Sequence, residues 1–317
     1  MNKRFWKEIN KPIIGLAPMD GYSDSAFRRV CKWVNPNIVT VTEFTSADGL
    51  SFGAQRLKEK LYFHPDEQPV IAQIFGKNTE TFIRAAKVCT DMGFTGIDIN
   101  MGCPAKKVVK SEHGVALRKN TDLACQLVEA VATSTPLPVS VKTRLGWNDA
   151  SGLIEFSKAI ENAGADMICI HARTYKEPYN VPAKFEPLYE LKKQLKVPLI
   201  INGGIKNIKD GMSKLNNCDG FYIGQESFGN PWVFSETHET IPFIEKIPLI
   251  LKHCEWIIEA KGEQVGTREI RKHLLKYFKG FTNAKEFRSK LVRVNSLSDI
   301  IAICDSIQIK ESELFYV

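Results

Sequence analysis

Eight short, nearly unbroken apolar runs recur along the first three-quarters of the chain. They are IIGLAPM (13–19), IVTVTEF (38–44), VIAQIFG (70–76), GIDINMG (96–102), PVSVKTR (138–144), MICIHAR (167–173), PLIINGG (198–204) and GFYIGQE (220–226). Each stops in polar or glycine residues. Runs that are apolar throughout, rather than alternating, suit parallel strands covered on both faces. Amphipathic stretches lie between them: SDSAFRRVCKWV (23–34), NTETFIRAAKVCTDMG (78–93), NTDLACQLVEAVATS (120–134) and SGLIEFSKAIENAGA (151–165). These begin at small polar caps, and two of them reach a glycine near their ends, which predicts helices. The segment 45–69 is less regular and predicts a broken helix. Eight strands alternating with helices over about 230 residues predict an α/β fold, a (β/α)8 TIM barrel. A doubly wound open sheet is the alternative; the count of eight and the even spacing favour the barrel.

The pattern changes after Phe234. The stretches 247–262, 266–281 and 283–296 read as helices with no strands between them. Two domains are therefore expected: a barrel over 1–240 and a small helical domain over 241–317. The helical part holds Arg268, Arg271, Lys272, Lys276, Lys279, Lys285, Arg288, Lys290 and Arg293. Such a run fits either a solvated helix face or a polyanion-binding surface. Tyr277, Phe278 and Phe281 are expected in its core. The net charge of +7 suits a polyanionic partner without identifying one. The eight cysteines are scattered and form no CxxC pair, so neither a zinc site nor a disulfide framework is expected. Cys89 and Cys169 read as core residues. Cys103 differs: it stands between a glycine and a proline where a strand breaks. No apolar run reaches 18 residues, and the N-terminus lacks a signal-type apolar stretch, so a cytoplasmic protein without a membrane partner is expected.

A (β/α)8 barrel builds its site at the C-terminal strand ends. Those ends supply Ala17-Pro18-Met19, Gln73, Asn100 with Cys103, Lys142 with Arg144, His171 with Arg173, Asn202-Gly203-Gly204, and Gly224-Gln225. The last two turns lie where such barrels bind phosphate. Lys142 sits inside an apolar strand, and burying a bare ammonium is costly. Its partner would be an anionic ligand or a strand carboxylate such as Glu43 or Asp98. Gln73 offers a donor and an acceptor, which suits the edge of a heterocycle. His171 reads alone as a core histidine and beside Lys142 as a ligand contact.

The blocks APMDGYSDSAFRR, AQIFG, DINMGCPAKKV, VKTRLGW, IHART, NGGI and IGQESFGNPW, taken together, resemble the tRNA-dihydrouridine synthase family. RKHLLKYFKGF is similar to that family's helical domain, and the lysine pair after the cysteine is similar to its bacterial B-type branch. The resemblance implies a flavoprotein that reduces the C5–C6 double bond of uridines in tRNA, using FMN and NADPH or NADH. It implies Cys103 as the proton donor. Pro18, Met19, Gln73, Lys142 and His171 would lie at the flavin ring, with Asn202, Gly203, Gly204, Gly224 and Gln225 at its phosphate. Asn100, Lys106, Lys107, Lys110, Arg144, Arg173, Arg271, Lys272 and Lys276 would contact RNA, and the protein would act as a monomer. Three stretches depart from the family pattern: KSEHGVALRKN after the cysteine, Ala172 with YKEPYNVPAKFEPL (175–188), and Gln225 in place of an arginine. The competing readings are the same reaction on ribosomal RNA, a flavin enzyme acting on free pyrimidines, and an RNA-binding barrel without turnover.

Overall fold

All eight runs become parallel strands. The computed structural model describes residues 3–236, 241–281 and 283–314. The strands are β1 (Ile13–Leu16), β2 (Val39–Val41), β3 (Thr45–Ser46), β4 (Val70–Phe75), β5 (Gly96–Met101), β6 (Val139–Arg144), β7 (Met167–His171), β8 (Leu199–Asn202) and β9 (Gly220–Ile223). Each pairs with the next around a ring: β1 with β2, β2 with β4, and so on to β9, which returns to β1. The two-residue β3 extends the line of β2 along β4. The sheet is thus a closed barrel of eight parallel strands, and the open-sheet alternative falls.

The helices are α1 (Phe5–Glu8), α2 (Ser25–Val34), α3 (Ala47–Ser51), α4 (Gln55–Lys60), α5 (Thr79–Asp91), α6 (Lys106–Lys110), α7 (Thr121–Ser134), α8 (Leu153–Asn162), α9 (Glu186–Lys192), α10 (Ile208–Leu215), α11 (Phe243–Lys261), α12 (Glu263–Tyr277), α13 (Ala284–Leu291) and α14 (Leu297–Leu314). Their starts follow from capping. Asn78, Asn120 and Asn207 each accept a backbone N–H from the first turn of α5, α7 and α10. The segment 45–69 does hold a broken helix, as α3 and α4.

The chain divides into two compact units, Met1–Asp24 with Asn37–Glu226, and Ser25–Pro36 with Ser227–Val317. The first contains the barrel. In the second, α2 packs on α11, and Val30 joins Ile250, Ile257, Ile270, Leu274 and Phe278 in one apolar core. Tyr277 and Phe278 are buried there, and Phe281 packs against it, as expected of core residues. A helix lying between the first two strands in sequence thus groups with the C-terminal helices. The expected division at 240/241 adjoins residues 237–240, which lie outside the described residues.

Strand side chains alternate in direction, so one set per strand faces the barrel interior. At the N-terminal end this set is apolar. Ile13, Val39, Ile71, Met167 and Ile200 cluster with Trp6 of α1. Two residues beyond Ile71 on β4 and Ile200 on β8, and four beyond Met167 on β7, the set becomes polar with Gln73, Asn202 and His171, joined by Asn100 on β5 and Lys142 on β6. The barrel is sealed by hydrocarbon at one end and lined with hydrogen-bonding groups at the other.

Candidate active site

The Cys103 loop is held by the strand it leaves. Asn100 Oδ1 accepts the backbone N–H of Gly102 at 3.2 Å and of Cys103 at 3.0 Å. Arg144, from β6, donates Nε to the Gly102 carbonyl at 2.9 Å. Gly102 suits this close approach: a Cβ there would lie 3.2 Å from the Thr143 backbone, a tight contact. On the far side, Gly114 adopts φ +61°, and a Cβ on it would meet the Cys103 carbonyl at 2.8 Å. The HGV step of the departing KSEHGVALRKN stretch therefore closes on the cysteine. Cys103 is half-buried. Burial, with the Asp20 charge, pushes its thiol above the ordinary value, against the opposing pull of the Ala105 amide, Arg144 and Lys142. The sulfur keeps its proton at neutral pH.

Lys142 Nζ donates to Asn202 Oδ1 at 3.0 Å, and Asn202 Nδ2 donates to the Tyr222 carbonyl at 2.8 Å. Among the described residues no carboxylate lies in bonding range: Glu43 faces Lys60, and Asp98 bonds Gln73 and Ser140. Burial lowers the Lys142 pKa, with Arg144 adding to that effect and Asp98 working against it. Among the described residues, one of its three ammonium protons is used, which is an arrangement suited to an electron-rich ligand edge.

Asn202 leads directly into Gly203 and Gly204, at φ +110° and +63°. These values favour glycine. A Cβ on Gly203 would lie 2.8 Å from the His171 ring, and one on Gly204 would lie 3.4 Å from an Arg173 nitrogen. The turn is a backbone cradle walled by His171 and Arg173. Burial and the charges of Lys142, Arg144 and Arg173 hold His171 well below its ordinary pKa. Arg173 Nη1 lies 2.9 Å from His171 Nε2. A guanidinium only donates, so Nε2 accepts and the neutral ring carries its proton on Nδ1. Pro18 and Met19 follow β1 in a turn braced by Ser23, whose hydroxyl accepts the Met19 N–H at 2.8 Å. A Cβ on Gly224 would lie 3.6 Å from Met19 Sδ, which brings the ends of β1 and β9 together.

Sequence comparison decides which kind of barrel this is. The dihydrouridine synthase family model matches residues 15–313. The chain belongs to the dihydrouridine synthase family. It is 34% identical over 313 residues to a probable tRNA-dihydrouridine synthase of Rickettsia conorii, covering 95% of this chain and 93% of the relative. It is 30% identical to tRNA-dihydrouridine synthase B of Pseudomonas syringae pv. tomato, covering 92% and 89%. Among solved structures, a morphinone reductase shares the barrel fold at TM-score 0.50 and 12% identity, covering 73% of this chain and 85% of that one.

In this member of the dihydrouridine synthase family, the strand-end residues divide by burial. Gln73 is fully buried, with Nε2 on Asp98 and Oε1 accepting from Asn100. Asn100, Arg144 and Arg173 are buried and bonded within the protein. Arg144 serves the Gly102 carbonyl, the Thr174 carbonyl and the Tyr179 hydroxyl, and Arg173 serves the Val181 carbonyl and His171. These internal bonds occupy polar groups that were expected to contact RNA. Lys106, Lys107, Lys110 and Lys276 are exposed, and Lys272 is half-buried. Arg271 spends its guanidinium on the Val294 carbonyl and Asn295. Gln225 is exposed at the start of the three-residue turn Gln225–Ser227. Among the described residues no group of acidic, histidine and cysteine side chains could hold a metal ion, and no helix is long and apolar enough to cross a membrane.

Two contributors escaped the reading of the sequence. Tyr179, half exposed, stands 5.7 Å from the His171 ring and bonds Arg144. It belongs to the departing segment 175–188, where no periodicity marks it. Asp98 was considered only as a partner for Lys142; its actual partners follow from strand register.

Proposed function

We propose that the chain reduces uridine to dihydrouridine in tRNA, using FMN and a nicotinamide reductant. One observation supports this most: a protonated, half-buried thiol is joined by a run of bonds to a half-buried ammonium and a glycine cradle. The run passes from Cys103 through Gly102 and Arg144 along β6 to Lys142, and on to Asn202 and Gly203. The residues fit the cofactor. The Gly203-Gly204 cradle, with Arg173 beside it, suits a phosphate, and the two unused protons of Lys142 suit an electron-rich ring edge. Gly224 would extend the cradle through its backbone; the exposed Gln225 side chain is not required for that. Pro18 and Met19 would flank the ring, with neutral His171 beside it.

When bound, reduced FMN supplies a hydride to C6 of the uracil ring, and NADPH or NADH restores it. Cys103 then delivers its proton to C5, completing the reduction. Its raised pKa keeps that proton available at neutral pH. Lys142 holds positive charge near the cofactor while Asn202 fixes its Nζ. Asn100 and Arg144 hold the thiol loop rather than the RNA backbone. A uridine of folded tRNA must leave its stack to reach a barrel interior. Exposed Lys106 and Lys107 on the barrel unit would neutralise RNA phosphates, and on the helical unit Lys276, Lys272 and Arg271 would supply further phosphate contacts. The expected behaviour as a monomer in the cytoplasm belongs to the same proposal.

The test is the visible absorption spectrum of the purified protein, before and after anaerobic NADPH. A yellow protein, or one that turns yellow with FMN, whose band bleaches on reduction supports the proposal. A colourless protein that takes up no added FMN overturns it.

A further inference from the structure

Asp98 lies in the barrel wall one layer beneath the site, is buried, and touches neither the thiol nor the glycine cradle. Its carboxylate accepts from Ser140 Oγ at 2.6 Å through Oδ1, and from Gln73 Nε2 at 2.7 Å through Oδ2. Gln73 Oε1 in turn accepts from Asn100 Nδ2 at 2.8 Å. Asn100 Oδ1 then accepts the Gly102 and Cys103 amides. Register explains the alignment: Gln73 pairs with Asp98 across β4 and β5, and Asp98 with Ser140 across β5 and β6.

An ionised carboxylate only accepts hydrogen bonds, whereas a primary amide has one accepting and one donating end. The Gln73 NH2 must therefore face Asp98, and its oxygen must face Asn100. That forces the Asn100 oxygen toward the loop. With Gln73 reversed its NH2 would confront the Asn100 NH2, and with Asn100 reversed an NH2 group would confront the Gly102 and Cys103 N–H groups; either leaves buried donors unpaired.

We infer that Asp98 is a positioning residue: through Gln73 and Asn100 it sets the polarity of an amide relay that anchors the Cys103 loop. The inference deepens the proposed function by assigning a source to the thiol's placement. Burial raises the Asp98 pKa to about 6, with Ser140, Gln73 and Lys142 opposing the rise. The group is therefore ionised, and the relay poled, at neutral pH.

The relay is tested by exchanging its two ends. Gln73→Met removes the amide that links Asp98 to Asn100 and breaks the relay. The double exchange Gln73→Glu with Asp98→Asn restores it at unchanged charge. The amide introduced on β5 then donates its NH2 to the carboxylate introduced on β4, while its oxygen accepts from Ser140. The second oxygen of that new carboxylate accepts from Asn100. The readout is the rate at which iodoacetamide alkylates Cys103 in the purified protein at neutral pH, followed by peptide mass spectrometry. This readout needs neither flavin nor RNA turnover, so its outcome is separable from that of the proposed reaction. Gln73→Met should raise the rate roughly fivefold or more, the effect of losing one buried hydrogen bond that restrains the loop. The double variant should return to within about threefold of the parent. A single variant that fails to fold while the double variant folds with parental alkylation supports the relay equally. Parental alkylation in Gln73→Met, or a double variant that fails to restore folding and parental alkylation, overturns it.

Discussion

Replacing Lys142 with methionine separates what the lysine does for the fold from what it does for a ligand. The ammonium is half-buried, bonds one neutral amide oxygen and, among the described residues, has no carboxylate in bonding range. Methionine fills a similar volume without charge. The variant loses the bond to Asn202, about 1 kcal/mol, and sheds a desolvation penalty of at least that order. The flavin-free protein should therefore be no less stable than the parent to within about 1 kcal/mol. Flavin binding should suffer far more. A hydrogen bond from a charged donor contributes about 1.5–3 kcal/mol, so FMN affinity should fall roughly 10- to 150-fold. The pH dependence has a defined sign. The Lys142 pKa in the fold lies below the ordinary 10.5, so protonation favours the unfolded chain. The penalty is complete at neutral pH and lifts as pH rises toward 10.5, narrowing any advantage of the methionine variant. The assays are urea unfolding of flavin-stripped protein and FMN titration by fluorescence quenching. Unchanged FMN affinity would refute the assignment. A loss of more than about 3 kcal/mol in the stripped protein would make Lys142 a structural residue instead.

Three further outcomes are expected. Cys103→Ala should retain flavin and its bleaching by NADPH while dihydrouridine formation falls about 10²- to 10⁴-fold, as measured by nucleoside mass spectrometry. Gly203→Ala forces a side chain into φ +110° and against the His171 ring at 2.8 Å. It should cost about 1–3 kcal/mol in urea unfolding and weaken FMN binding about tenfold or more. Asp98→Asn removes a group whose pKa rises from 3.8 to about 6 on folding. At 1.36 kcal/mol per pH unit the buried charge costs about 3 kcal/mol above pH 6, and nothing below 3.8. The variant also leaves one buried donor at Gln73 or Ser140 unpaired, so its sign at one pH is not diagnostic; its stability relative to the parent should fall by up to about 3 kcal/mol between pH 7 and pH 4 in urea titrations.

The barrel was legible because each strand is apolar on both faces, and such runs survive any choice of register. The Cys103 turn was legible because a cysteine between glycine and proline has no packing rationale inside a strand. The glycine cradle was legible from its place after the penultimate strand of a barrel. Other features depend on three-dimensional neighbours. Asn100, Arg144 and Arg173 carry polar groups that serve an RNA surface or a buried loop equally well, and only strand pairing shows that theirs turn inward. Asp98 and Gln73 meet across β4 and β5 at a separation of 25 residues. Helix α2 follows β1 in sequence, yet its apolar face completes the helical core around Ile250 and Leu274. The short α6, α9 and α10 lacked the length for a clear helical period, and α14 was not marked at all.

The central claim is that the barrel interior reduces uridine with Cys103 as the acid. Its most direct test incubates the purified protein with FMN, NADPH and an unmodified tRNA transcript, then digests the RNA and measures dihydrouridine by mass. The account predicts dihydrouridine with the parent protein, and a loss of most of it when Cys103 is alanine. Dihydrouridine formed equally by both proteins would contradict the role of the thiol. No dihydrouridine from a protein whose flavin NADPH has reduced would contradict the reaction itself.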